Sequence, residues 1–201
     1  MKRRSSVPSC NVFFLMLPIH IRFQFVMIKK SQSSKLTCGK SIWGRSISMD
    51  GLISKKENLI KLPHIEGINC FGCGHSNPVG LKMDFFADET FVYSWLTLAD
   101  HFCSYDKYVH GGIVATVLDE IMTWAALYFM KKFVLTKSIN INYLKTVYTD
   151  IEIRVEGKVC ERLSEKKVIM EGFVYSNDEL CAKSTGEYVL IDSFAKNTSP
   201  L

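Results

Sequence analysis

Between Ile113 and Met130 the sequence IVATVLDEIMTWAALYFM holds two charged side chains, Asp119 and Glu120, in an apolar run without Gly or Pro. An unpaired carboxylate is costly to bury, so an acid in the middle of such a run is either satisfied by partners or placed there to react. Read as a helix, the run separates the two acids. Gly112, Thr116, Asp119 and Thr123 share one stripe, spaced seven, three and four residues from Asp119, and that stripe is small and polar. Glu120 is turned by about 100° toward Thr116, Val117 and Trp124, where a supporting or surface role fits as well as substrate contact. Asp119 is therefore the candidate catalytic carboxylate, with Thr116 and Glu120 as candidate substrate-contacting residues.

Gly111 and Gly112 stand directly before the run. Glycine lets a ligand approach the backbone, and a helix N-terminus offers unpaired N–H groups with positive partial charge. Donors of this kind can polarise a carbonyl and stabilise an oxyanion. Gly111 and Asp119 are eight residues apart, roughly 12 Å along a helix at 1.5 Å per residue. One helix cannot bring both groups to one carbonyl carbon. If both act on one substrate, they come from two subunits whose helices lie antiparallel across a two-fold axis, and the site is a dimer interface.

The elements that must position these groups are legible in the periodicity. Leu81 to Ala87 and Phe91 to Leu98, separated by Asp88-Glu89-Thr90, read as two strands with a short turn. Ile113 to Met130 reads as one long buried helix. Ser138 to Tyr143 and Ile151 to Glu156 alternate with period two, and Lys167 to Tyr175 and Leu180 to Ile191 are two further strands joined through Ser176-Asn177-Asp178-Glu179. Hairpin-length connections and the lack of further helices predict an antiparallel sheet curled around the helix, an α+β class. A helix apolar on nearly every face needs that sheet and a partner subunit to enclose it.

Composition bounds the function classes. The formal charge of +5 arises in the first quarter: residues 1–49 hold nine Lys or Arg and no acid, which leaves 16 basic and 20 acidic side chains in residues 50–201. A domain with a net −4 has no electrostatic reason to seek phosphate backbones, so nucleic acid is not an expected partner. Residues 1–48 contain an apolar stretch, Val12 to Ile28, interrupted by Pro18, His20, Arg22 and Gln24. It makes a poor membrane span, and no stable membrane insertion is expected. Two readings of 1–48 stand open: an organelle-targeting leader, or a stretch upstream of a start at Met49. The corresponding locations are an organelle matrix and the cytoplasm. Seven scattered cysteines do not read as a disulfide framework and favour a reducing compartment. The expected organisation is 1–48, an N-terminal segment 49–80, a catalytic domain 81–192 and a tail 193–201.

His110-Gly111-Gly112-Ile113-Val114-Ala115-Thr116-Val117-Leu118-Asp119 resembles the signature of the hotdog-fold thioesterase superfamily, in the branch with the phenylacetate-pathway acyl-CoA thioesterases. Cys70-Phe71-Gly72-Cys73-Gly74, followed by Asn77-Pro78-Val79-Gly80-Leu81-Lys82, resembles the opening of one subgroup of that branch. The resemblance spans about Cys70 to Asp192. It implies a helix wrapped in an antiparallel sheet, dimers that pair into tetramers, and hydrolysis of acyl-CoA thioesters without metal or cofactor, a chemistry of fatty acid metabolism. It makes Asp119 the general base or nucleophile, Gly111 the backbone donor to the thioester oxygen, and Thr136, seven residues before Tyr143, a hydroxyl that helps place the attacking water. His110, Gly112, Ser104 and Tyr105 are further candidate substrate-binding residues. Two positions depart from the pattern: Ser104 stands where relatives carry Asn or Gly, and Thr146 where they tend to carry Pro.

Other chemistries fit less well. A His before Gly-Gly is more often a structural hydrogen-bonding residue than a catalyst, and no Gly-x-Ser-x-Gly elbow supplies a serine nucleophile. Cys70 and Cys73 form a C-x-x-C that could be half of a zinc site with Cys103, His101, His75 or His64, but no second C-x-x-C exists and packing of a turn is the preferred reading. The different-class alternative is a hotdog domain that binds an acyl-CoA or acyl-carrier thioester without hydrolysing it.

Overall fold

The computed structural model describes residues 58–65 and 67–192. The expectations for 1–48, for a start at Met49 and for the 193–201 tail lie outside the described residues. Within them the elements are β1 (Ile60–Lys61), β2 (Phe86–Ala87), β3 (Val92–Thr97), a 3-10 turn (Asp100–Phe102), α1 (Gly111–Met130), β4 (Phe133–Tyr143), β5 (Glu152–Ser164), β6 (Lys167–Ser176) and β7 (Glu179–Ile191). The strands form one sheet in the order β1-β2-β3-β5-β6-β7-β4, with every neighbouring pair antiparallel. The first strand after the helix thus lies at the far edge, beyond β7.

The hairpins follow from local chemistry. Asp88 turns the chain between β2 and β3 by accepting the amides of Thr90 and Phe91 on Oδ1, each at 2.7 Å. Between β6 and β7, Asn177 and Asp178 both have positive φ, 49° and 60°, the backbone that a two-residue hairpin loop requires and that Asn and Asp tolerate. Helix α1 ends where Lys131 enters the left-handed region at φ 52° and donates its N–H to the Leu127 carbonyl.

Val114, Val117, Leu118, Ile121, Met122, Trp124, Ala125, Ala126 and Leu127 form the buried face of α1, and Phe85 stacks on Trp124 with ring centroids 4.4 Å apart. The helix reaches the sheet closely because Gly157 and Gly172 are register partners on β5 and β6. A Cβ at Gly157 would stand 2.6 Å from the Ile121 carbonyl oxygen, and one at Gly172 would stand 3.1 Å from Met122 Cγ. By length and composition α1 could cross a membrane, with mean hydropathy 1.5, but here its apolar face is packed into the sheet.

Three features differ from the periodicity. Only Phe86 and Ala87 of the first expected strand pair with β3; Leu81 and Met83 instead donate to the carbonyls of Phe71 and Gly72, so this stretch is fastened to the C-x-x-C turn. The short β1 pairs with β2 ahead of that strand, and β4 and β5 begin or run well beyond their alternating cores. Among the described residues, Cys70, Cys73, Cys103 and Cys181 are free thiols.

Candidate functional site

Asp119 lies half-buried in the middle of α1, and its Oδ1 accepts two hydroxyls, Thr136 Oγ1 at 2.8 Å and Tyr188 Oη at 2.8 Å. These donors face each other across the β4–β7 ladder, where Thr136 pairs with Tyr188 beside a register shift. The sheet therefore holds one carboxylate oxygen from two sides. Among the described residues, Oδ2 has no hydrogen-bond partner. Tyr188 is fully buried, and its phenol is pushed well above the usual range, first by burial and then by the charge of Asp119. It stays a proton donor to the carboxylate. The sequence reading missed Tyr188, 69 residues away; the signal was its inward place in the alternation of β7 and the need of a buried tyrosine hydroxyl for a partner.

At the start of α1, His110 is the N-cap, and its Nδ1 accepts the Gly112 amide at 2.9 Å. This consumes the Gly112 N–H and leaves the Gly111 N–H without an acceptor among the described residues. Tyr143, at the end of β4, donates Oη to the Gly111 carbonyl at 2.9 Å and fixes that peptide from the far side. Thr116 turns its hydroxyl back to the Gly112 carbonyl at 2.9 Å. Beside Gly111 opens a cleft of 330 Å³ whose walls include Val109, Val114, Leu144, Lys145 and Val147.

The loop ahead of the helix is exposed. Ser104 closes it on Tyr108, donating both its amide, at 2.8 Å, and its Oγ, at 3.3 Å, to that carbonyl. Tyr105 stands 79% exposed, and neither side chain is a hydrogen-bond partner of the Asp119 carboxylate, which accepts Thr136 and Tyr188.

Glu120 faces elsewhere. Its carboxylate accepts Trp124 Nε1–H at 3.2 Å and lies 3.7 Å from the Cys70 thiol, and Cys73 donates to it as well. Burial pushes this carboxyl above the usual glutamate range, against the lowering effect of those donors. Burial and the Glu120 charge likewise hold the Cys73 thiol protonated. The tight fit of the turn explains its glycine, since a Cβ at Gly72 would stand 2.4 Å from Glu120 Oε2. The C-x-x-C thus supplies thiol donors to the Glu120 carboxylate, more than the bare turn packing expected of it.

The comparisons fall on this same region. A family model described as the thioesterase superfamily matches residues 106–182, from the loop before α1 into β7. Solved structures match as well, among them a Streptococcus mutans protein bound to acetyl-CoA, 19% identical, covering 64% of this chain and 97% of its own, with a TM-score of 0.54. The chain has the hotdog fold. The hotdog domain also matches a thioesterase superfamily protein at 20% identity and TM-score 0.55, covering 60% of each chain, and the E. coli PaaI protein of the phenylacetic acid degradation operon at 15% identity and TM-score 0.51, covering 55% of this chain and 80% of that one. No curated protein sequence matches the chain significantly.

Proposed function

We propose that this hotdog protein hydrolyses acyl-CoA thioesters to free acid and CoA, in a site completed by a second copy of the chain. The observation that carries this reading is the Asp119 carboxylate, with one oxygen clamped by Thr136 and Tyr188 and the other open, in a segment matched by the thioesterase superfamily model. Asp119 Oδ2 takes a proton from water as it attacks the thioester carbonyl, or attacks that carbon directly. The Gly111 N–H of the other copy stabilises the tetrahedral oxyanion. Thr136 acts by orienting Asp119, because its hydroxyl is already given to Oδ1. His110 and Gly112 shape the donor end, and the cleft beside Gly111, with Val114, Leu144 and Val147 alongside Lys145 and Thr146, offers both apolar and polar contacts to the substrate. Ser104 and Tyr105 contribute to binding from the exposed loop of the facing copy.

The need for a partner also has support in the sheet. β4 is an eleven-residue edge strand with mostly exposed side chains, and such an edge invites pairing with another chain. A homodimer, with pairs of dimers as a tetramer, follows from this reading.

Thiol release from short, medium, long and aromatic acyl-CoAs by protein starting at Met49 tests the proposal. Turnover is expected to fall by about 10²–10⁴-fold in Asp119→Asn, the range for losing an acid–base group, with the assembly intact. Tight acyl-CoA binding without turnover by the unaltered protein would replace the hydrolase with a thioester-binding module.

A further inference from the structure

His64 follows β1, His75 lies in the turn after Cys73, and Asp84 precedes β2. Their ligand atoms all lie within 4.8 Å of one another. His64 Nε2 stands 3.1 Å and His75 Nε2 stands 3.5 Å from Asp84 Oδ1. Donors around a tetrahedral ion with bonds of 2.0–2.2 Å are about 3.3–3.6 Å apart. We propose that His64, His75 and Asp84 bind a divalent transition-metal ion, with zinc the best match to the ligand set, and that the ion fastens the N-terminal segment to the sheet.

Two observations beyond proximity point to a cation. His75 Nδ1 lies 3.2 Å from the Cys73 carbonyl oxygen. A carbonyl only accepts, so Nδ1 carries the proton, and in the neutral ring Nε2 presents a lone pair toward Asp84. Metal-ligating histidines are oriented in this way, through a second-nitrogen bond to a backbone carbonyl. Asp84 Oδ1 is itself screened from solvent and makes no hydrogen bond among the described residues, although three nitrogens surround it. The third is Lys61 Nζ, at 3.6 Å. That exposed ammonium offsets the carboxylate charge from one side and competes with an ion.

Imidazole and carboxylate donors select zinc and its neighbours over calcium or magnesium, which prefer all-oxygen shells. Three protein ligands leave a fourth position for water. The side chains are 42%, 42% and 38% exposed, so an ion enters directly from solvent. β1 and β2 are two residues each, so the segment is held mainly by buried Leu62, Met83 and Phe85 and by backbone bonds at Leu62, Leu81 and Met83, and an ion adds a fastening on its exposed side. Binding free energy at such a site adds to folding stability. The nearby Cys70, Cys73 and Glu120 also group within 4.8 Å, but there the carboxylate already accepts Trp124 and thiol donors.

Untagged full-length protein, stripped with a chelator, is titrated with Zn²⁺ against a chromogenic competitor and followed by thermal unfolding. One Zn²⁺ per chain is expected, with a raised Tm. Affinity is expected to fall at least tenfold in His75→Ala and in Asp84→Asn, and to persist in Lys61→Met and in Cys70→Ser/Cys73→Ser. Co²⁺ loaded into the unaltered protein is expected to show no thiolate charge-transfer band, a readout that does not depend on any variant folding. Absence of Zn²⁺ binding, binding lost only in the cysteine variant, or a thiolate band would overturn the proposal. None of these outcomes depends on thioester hydrolysis.

Discussion

Asp119 and Glu120 are adjacent in sequence and separate in chemistry. The first accepts two hydroxyls from the sheet on one oxygen and keeps the other open. The second is closed in by an indole N–H and two thiols. Since folding raises the Glu120 pKa through burial, its contribution to stability is full below the usual glutamate range and is lost as pH rises through the folded value. Glu120→Gln removes this dependence. The Tm of the unaltered protein is therefore expected to drop relative to the variant as pH rises from the acid range toward neutrality. A gap that stays constant across the pH series would refute the assignment. The spacing of the two acids already separated their faces, but the donors around each come from distant strands and turns.

At the level of elements, the site depends on how closely α1 lies on β5 and β6. Gly157 permits the approach at the Ile121 carbonyl, where a Cβ would stand 2.6 Å from backbone oxygen, which cannot swing away as a side chain would. Gly157→Ala is expected to cost about 1–3 kcal/mol, the range for overpacking a core, read as a lower denaturant midpoint. An unchanged midpoint would mean that the helix is free to lift from the sheet. Helix α1, the four strands after it and the turn at Asn177-Asp178 were legible because period and turn residues are local signals. The stretch Leu81–Phe85 was misread as a strand because its apolar composition is the same whether its amides meet a neighbouring strand or, as here, the carbonyls of Phe71 and Gly72.

For the whole molecule, the spacing of Gly111 and Asp119 along one helix has a consequence that can be measured. Gly111→Pro removes the oxyanion N–H at a position that suits proline: the first residue of a helix, preceded by His110 at φ −60° and ψ 133°. Mixed with Asp119→Asn chains and allowed to exchange subunits, it forms heterodimers with one intact site of two. About half of randomly paired dimers are mixed, so two inactive proteins are expected to recover roughly a quarter of full activity. No recovery, with exchange verified by mass, would place both groups on one chain and sink the composite site.

Periodicity, turn residues and the rarity of a carboxylate in an apolar run were enough, from the sequence alone, to determine a helix enclosed by an antiparallel sheet and to single out Asp119 and the Gly-Gly before it. These are properties of nearby residues and of burial cost. Only the tertiary structure decided that Tyr188 joins Thr136 on Asp119, that His110 takes the Gly112 amide and leaves Gly111 free, that Glu120 belongs with Cys70 and Cys73, and that His64, His75 and Asp84 converge. Each of those depends on which side chains long-range strand pairing and loop packing bring within hydrogen-bond or ligand distance, and neither propensity nor period carries that information.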